Sequence, residues 1–435
     1  MIQLLRIKNQ QPVNNLMQNS SFYKSYDKLL TFVLLLLVIT GMMSVFSAEY
    51  SINSDFQLDF KTGFGKQLLW LFVSIVLFGI VVIVDVRVFI NLSYVIYALT
   101  ILLLLATLAT GQVISGSKSW LVIGGFSMQT SEFAKLGTAL ALAKYLDNSH
   151  VNIANRKHLF ISLMIIAVPL GLIVLQRDFG SAVVFAAFIL VLYRQGLSGW
   201  FIYFPLIAAV IFIVTLLIGP IWTSVIITII AVIFFFIISD RMRSLALIIT
   251  VFIITVSLIF SVDYVFNNIL AEHQKTRINV LLGKEIDLKG AGYNMHQSLI
   301  AIGSGGFTGK GYLNGTQTKL NFIPEQSTDF IFCTIAEEFG LLGSLFLVGL
   351  FTVLILRILS LSENHKFRFT RIYGYGIISV ILIHYIINIG MALGVLPVIG
   401  IPLPFISRGG TSLLTFILMI AIFLKLEREF RHYFN

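Results

Sequence analysis

Residues 29–48 read LLTFVLLLLVITGMMSVFSA, twenty positions without one ionisable side chain. A helix of that length rises about 30 Å, the thickness of a bilayer's hydrocarbon core. No water is available there, so backbone groups must bond within the segment; the run predicts a transmembrane α-helix. Barrel strands would be about half as long and would alternate in polarity.

Runs of the same kind recur near 68–85, 91–110, 131–147, 159–175, 179–194, 200–218, 221–238, 245–263, 329–356, 372–393 and 409–427. They predict an all-α fold, a polytopic membrane helical bundle of about 10–12 transmembrane helices. Composition agrees. Of 435 residues 57% are hydrophobic and 11% charged, whereas a water-soluble domain carries about one-quarter charged residues. One boundary stays open at this level: at Gly219-Pro220 two apolar runs meet with almost no polar linker, and a proline kink or a hairpin fits equally.

The formal net charge is +10, but the basic residues lie between the apolar runs rather than in one patch. With the N-terminus inside, the short inner connections hold Arg87, Arg156 with Lys157, Arg194, Arg241 with Arg243, Arg357, Arg368 and Lys425. That is the positive-inside distribution. It places both termini in the cytoplasm of a multi-pass protein of the cytoplasmic (inner) membrane and argues against nucleic acid as a partner. The first 28 residues are polar with no cleavable signal, so the first run is read as an anchor. The expected layout is a cytoplasmic tail at 1–28, a single transmembrane domain at 29–428 and a cytoplasmic tail at 429–435.

Residues 264–328 stand apart as a long polar connection, rich in Gly and Lys, on the outer side just before the tenth span. Its cations Lys275, Arg277, Lys284, Lys289, Lys310 and Lys319 fit either an anionic ligand such as a pyrophosphate head group or a solvated basic loop. The lone cysteine, Cys333, lies in an apolar stretch and excludes an internal disulfide or a cysteine-cluster metal site. No nucleotide-binding glycine loop and no zinc-protease histidine pair occurs.

Ionisable residues within or at the ends of spans are costly to bury and therefore mark candidate sites. Four places carry them. Glu132 and Lys135 open the fourth span three residues apart on one helix face, as a pinning ion pair or the wall of a polar cavity, with Ser131 as a candidate cap. Gln176-Arg177-Asp178-Phe179-Gly180 forms a short outer turn. Pro324-Glu325-Gln326-Ser327-Thr328-Asp329-Phe330 re-enters the membrane ahead of Glu337 and Glu338. Asp329 lies where water meets hydrocarbon, either capping the helix or tuned as a general base. Pro402 to Ser412 pairs a rigid proline turn with a glycine-rich start to the last span, and Arg408 brings it a forked cation suited to phosphate or to an acidic neighbour.

Taken in order, these segments resemble a known family, the shape, elongation, division and sporulation (SEDS) proteins, over most of 29–428. The resemblance is carried by Ser131 to Lys135, Gln176 to Gly180, Gly292-Tyr293 with Gln297-Ser298, Ile300 to Gly306, Gly309-Lys310-Gly311, Pro324-Glu325 with Thr328-Asp329-Phe330, and Leu403 to Ser407. Gly315-Thr316-Gln317 and Leu320 ahead of Phe322 to Gln326 look more like the elongation branch, the RodA type, than the division branch. What the resemblance implies is a peptidoglycan glycosyltransferase that polymerises lipid II at the outer membrane face during cell elongation. It further implies partnership with a class B penicillin-binding protein and with other membrane proteins of the elongation complex.

By the same resemblance Asp329 is catalytic, alone or beside a divalent cation (Mg2+ or Mn2+), and no organic cofactor is expected. Glu132 and Lys135 would line a central cavity, and Lys118, Trp120, Asp178, Lys310 and Arg408 would meet substrate head groups. The sequence departs from the family pattern at Thr130 and Arg177, where proline is common, at Ser119, where a basic residue is common, and at Arg408, where tyrosine is frequent. Family members usually have ten spans, which makes 221–263 an extra helix pair. A division polymerase, a lipid II flippase and a non-catalytic scaffold of the cell-wall complex are the competing readings.

Overall fold

The computed structural model describes residues 26–50, 62–114, 116–123, 126–237, 241–270, 272–282, 284, 291–320 and 322–431. Most of the two expected tails, Lys289 and the Arg277 side chain lie outside the described residues.

Every expected span is helical. In chain order they are α1 (Lys28–Glu49), α2 (Gly63–Ile83), the short α3 (Val86–Asn91), α4 (Ser93–Thr110), α5 (Thr130–Asp147) and α6 (Arg156–Leu175). Next come α7 (Phe179–Ala186) with α8 (Ile189–Arg194), then α9 (Trp200–Ile218), α10 (Pro220–Ile237) and α11 (Arg241–Tyr264). The long connection holds α12 (Glu272–Leu281), α13 (Ala291–Gly305) and α14 (Thr316–Lys319); α15 (Ile331–Glu363), α16 (Arg368–Ala392) and α17 (Gly410–Arg431) follow. Among the described residues ten helices are long and apolar enough to cross a membrane. The two exceptions among the twelve are α5, which carries Glu132, Lys135, Lys144 and Asp147, and the α7–α8 pair, interrupted at 187–188.

Helix starts follow local chemistry. The Asp27 carboxylate accepts from Leu30 N at 2.8 Å, Thr62 Oγ1 from Gly65 N at 3.1 Å and Asp85 Oδ1 from Arg87 N at 2.8 Å. Each satisfies one of the amides a helix start leaves without a carbonyl. The Gly219-Pro220 junction is a hairpin. Gly219 has φ 88° and ψ 157°, a region essentially reserved for glycine, and Pro220 opens α10 at the position where a missing N–H does no harm.

The centre of the bundle is α16 and α17 with α5 packed on both, flanked by α15, α4 and α2. The apolar window of α17 is 83% buried; that of α10 is 6% buried, so α9, α10 and α11 form an outlying group that packs chiefly on itself and touches the bundle at α8.

Two features were not expected. Residues 112–129 form a three-stranded antiparallel sheet, β1 (Gln112–Ile114), β2 (Ser117–Ile123) and β3 (Phe126–Gln129), with Trp120 opposite Gln129 and Ile123 opposite Phe126. The alternation Ser117-Lys118-Ser119-Trp120 and the Gly124-Gly125 pair after it are hairpin signals too short to stand out among long apolar runs. The connection expected as an open loop at 264–328 is also largely helical, because its helices pack on α15 and α16.

That packing rests on a break in α15. Gly340 takes φ 62° and ψ −155°, which interrupts the helical ladder. The freed groups find partners in the incoming chain: Leu341 N donates to Gly306 O at 2.9 Å and Leu342 N to Phe307 O at 3.2 Å. In return Lys310 N donates to Glu337 O at 3.0 Å and Gly311 N to Glu338 O at 2.9 Å. Broken helix backbone is tolerated in a membrane protein where protein groups re-satisfy it in this way. Such an approach leaves no room for side chains: a Cβ on Gly309 would sit 2.1 Å from Glu338 O, and one on Gly340 2.4 Å from Gly309 N.

Gly340→Ala should therefore lower the melting temperature of the detergent-purified protein, by an amount equivalent to about 1–3 kcal/mol. Gly79→Ala, with open space around it, should leave the melting temperature unchanged or raise it. Differential scanning fluorimetry of the two variants against the unmodified chain checks this.

Candidate active site

Two segments meet at one end of the bundle, 324–330 ahead of α15 and 400–409 ahead of α17. Ser407 joins them: its Oγ accepts from Leu403 N at 2.8 Å and donates to Thr328 O at 2.5 Å. Beside it Arg408 N donates to Ser327 O at 2.7 Å. Asn388, buried on α16, gives its amide group to Asp329 O at 2.8 Å and to Ile401 O at 2.7 Å. The backbone of Asp329 is thus clamped from the loop and from a helix, while its side chain is half-buried and lies beside the Gly400 Cα.

Asp329 is not a helix cap, contrary to one of its two sequence readings. The helix starts at Ile331, and the N-cap position is Phe330. A turn built on Glu325 at φ 59° intervenes, with Thr328 N and Phe330 N both donating to Glu325 O. Ser131 is likewise not a cap. Its hydroxyl lies 3.0 Å from Ser181 Oγ and 3.5 Å from Asp178 Oδ2. The four described non-glycine residues with positive φ are Arg177, Leu313, Glu325 and Phe405, all in connections at this end. Strained backbone of this kind concentrates where the surroundings over-determine a functional geometry.

Below the loop lies a buried polar chain. Lys135 Nζ donates to Glu132 Oε1 at 2.7 Å and meets His384 Nε2 at 2.8 Å, with both members of the ion pair about 1% exposed. His384 Nδ1 in turn lies 2.9 Å from Pro402 O. Asp178 is half-buried as the N-cap of α7; it accepts from Ser181 N at 3.0 Å and from Gln129 Nε2 at 2.9 Å, tying α7 to the start of α5.

The remaining sequence candidates are engaged inside the chain. Lys310 donates to Glu337 at 2.7 Å and Arg408 to Glu49 at 2.7 Å, with side chains 25% and 38% exposed. Lys118 is part-exposed and donates to Ala109 O at 3.1 Å, and Trp120 lies half-buried in β2. The structure puts Asp329 and Arg408 on two segments joined by the Ser407–Thr328 and Arg408–Ser327 hydrogen bonds, and links Glu132 and Lys135 to the second segment through His384 and Pro402 O. Lys118 and Trp120 stand apart in the sheet.

Three cations of the long connection pair with carboxylates: Lys275 with Glu272, Lys310 with Glu337 and Lys319 with Glu338. Glu337 accepts from Lys310 and from Thr316 N, Gln317 N and Thr318 N at 2.8–3.0 Å, and so caps α14. Lys319 lies 3.4 Å from Glu338 and donates to Ser47 Oγ at 2.7 Å. Burial pushes its ammonium below the ordinary lysine value, against the pull of Glu338. Neither of the two sequence readings for these lysines, solvated loop or ligand site, anticipated that span carboxylates would neutralise Lys310 and Lys319. His384 and Asn388 were also missed. Their signal was present, since two polar residues four apart on one face of an apolar span share a purpose more often than not.

Known proteins share this arrangement of helices. A family described as cell cycle protein, taking in FtsW, RodA and SpoVE, matches residues 27–222 and 205–432. The chain belongs to this family. Peptidoglycan glycosyltransferase RodA of Treponema pallidum (strain Nichols) is 30% identical over 425 residues, spanning 92% of this chain and 97% of its own length. Peptidoglycan glycosyltransferase MrdB of Escherichia coli (strain K12) is 35% identical over 319 residues, 73% of each chain. Among solved structures, a chain of a peptidoglycan synthase complex that coordinates polymerization and crosslinking superposes with a TM-score of 0.68 at 25% identity, covering 94% of this chain and 99% of that one.

Glu132→Gln or Lys135→Met alone strands a buried charge and should destabilise the protein by about 3–5 kcal/mol, more than the double variant does. Thermal denaturation of the three side by side is the check. A double variant no better than either single would mean that the pair does more than balance charge.

Proposed function

We propose that this chain is a peptidoglycan glycosyltransferase of the RodA type, polymerising lipid II into glycan strands at the outer face of the cytoplasmic membrane. The observation that carries this reading is the clamped Asp329: a half-buried carboxylate at the bundle end, its backbone fixed by Asn388 and flanked by the Ser407 bridge. The shared name of the RodA and MrdB relatives supports it.

Asp329 acts as general base. It takes the proton from the acceptor sugar hydroxyl while that oxygen bonds to the donor's anomeric carbon, and the bond from that carbon to the polyprenyl pyrophosphate breaks. The leaving group carries about two to three negative charges by ordinary phosphate chemistry, and Arg408 and Lys310, both partly exposed, are the cations assigned to answer them. Among the described residues no group of three or more His, Cys, Asp or Glu is placed to hold a metal ion. Asp329 fits Mg2+ or Mn2+ in the other common manner, as one carboxylate completed by substrate pyrophosphate oxygens. The bound ion would supply charge stabilisation to the departing pyrophosphate.

The partner is a single-spanning class B penicillin-binding protein that crosslinks the new strands; the solved relative in a synthase complex supports an assembly of this type. The helices α10 and α11 are an insertion relative to ten-span family members. Their outlying position and the two-part family match that overlaps at 205–222 support this. Both termini face the cytoplasm, and 264–328 faces outward. Adding a pair of spans keeps Asp329 on the outer side.

Purified protein with its partner should convert fluorescent lipid II into long glycan, and Asp329→Asn should reduce the rate by about 10²–10⁴-fold at unchanged melting temperature. Wild-type turnover by that variant would remove Asp329 as base, and loss of lipid translocation without polymer formation would favour a flippase. Sidedness has its own test. Cys333 is fully buried, so an added cysteine reads without background. In intact cells a membrane-impermeant maleimide should label Asn314→Cys and spare Arg156→Cys.

A further inference from the structure

The loop that holds Asp329 contains Pro402 and Pro404. Neither residue has an N–H to donate, so at those positions the loop can be anchored only through its carbonyls. Two carbonyls in succession are held, Ile401 O by Asn388 and Pro402 O by His384. The two side chains lie one helical turn apart on α16, and the same Asn388 amide also holds Asp329 O. The position of Asp329 therefore depends on where the 401–402 peptide is pinned.

His384 is built to pin it in one orientation. The Lys135 ammonium donates to Glu132 Oε1 and points at His384 Nε2. An ammonium has no lone pair to offer, so Nε2 must be the acceptor, and the ring proton is left on Nδ1, where it donates to Pro402 O. The rest of the Lys135 environment is filled by the Phe416 ring, 5.3 Å from Nζ. That ring meets His384 edge-on at 5.1 Å and Phe405 of the same loop at 5.6 Å. No other titratable group is in contact with this imidazole through a hydrogen bond or ion pair among the described residues.

We propose that His384 is a positioning residue for the glycosyl transfer. As the Nδ1–H tautomer selected by Lys135, it fixes the 401–407 loop, and through Asn388 and Ser407 it fixes Asp329 against the reacting sugar. This rests on the transferase reading above, and it assigns the Glu132–Lys135 pair the task of setting a tautomer.

The test uses the full-length chain, fluorescent lipid II and two substitutions of similar size and polarity. His384→Asn places an amide donor where Nδ1 was, within reach of Pro402 O. His384→Gln reaches toward Lys135 and gives up the Nδ1 position. The expected result is kcat near wild type for Asn and about 10²-fold lower for Gln, with KM for lipid II unchanged in both. Equal kcat in two variants that both melt as wild type, or a loss confined to KM, overturns the proposal. Nitrogen-15 histidine NMR of the full-length protein reads the linkage without turnover. The His384 signal, identified by its loss in His384→Asn, should be that of a neutral ring protonated at Nδ1, and Lys135→Met should shift it toward the Nε2–H form. An Nε2–H or doubly protonated ring in the unmodified chain overturns the proposal. A chain with the expected spectrum that makes no glycan overturns the transferase reading instead.

Discussion

A peptide carbonyl or amide left without a partner in a medium without water costs several kcal/mol, and the end of this bundle that holds Asp329 is organised around that constraint. Helices meet it by themselves. Segments that are not helical at this end, 306–315, 322–330 and 400–409, meet it by borrowing donors and acceptors from helices and from one another. Ser407, Asn388 and His384 supply side-chain donors to four loop carbonyls, and the break at Gly340 supplies two amides and two carbonyls to the incoming chain. Rigidity at Asp329 is a by-product of satisfying these groups.

Charge is handled by the same logic. Each described acidic residue buried near this end has a cation or a set of amides assigned to it: Glu132 to Lys135, Glu337 to Lys310 and the start of α14, Glu338 to Lys319. Buried ion pairs contribute little net stability but are costly to break, so they fix geometry more than they add to folding free energy. Here they decide which loop lies against which helix. Lys310 and Arg408, paired with Glu337 and Glu49, are the less buried cations, 25% and 38% exposed.

The group formed by α9, α10 and α11 lies outside this network. Its residues are apolar, mostly exposed and satisfied within their own helices, with hydroxyls such as Thr223 and Ser224 bonded to carbonyls one turn back. Among the described residues its packing reaches the rest of the bundle chiefly through α8.

The sequence by itself determined the solvent and the helices, and it marked Asp329 as a candidate. Hydrophobicity accumulates residue by residue, so twenty apolar positions in a row specify a span whatever surrounds them, and Asp329 stood out because an ionisable group at the edge of a span is rare. The same reading could not tell that Phe330 rather than Asp329 takes the N-cap position, nor see the sheet formed by β1, β2 and β3, whose strands are too short for a periodic signal. Only the tertiary structure decided which buried polar groups meet. Lys135 and His384 are 249 positions apart, and Ser47 and Lys319 are 272 apart. A hydrogen bond requires approach within about 3 Å, and for residues so distant in the chain that approach is set by helix packing, which no local pattern encodes.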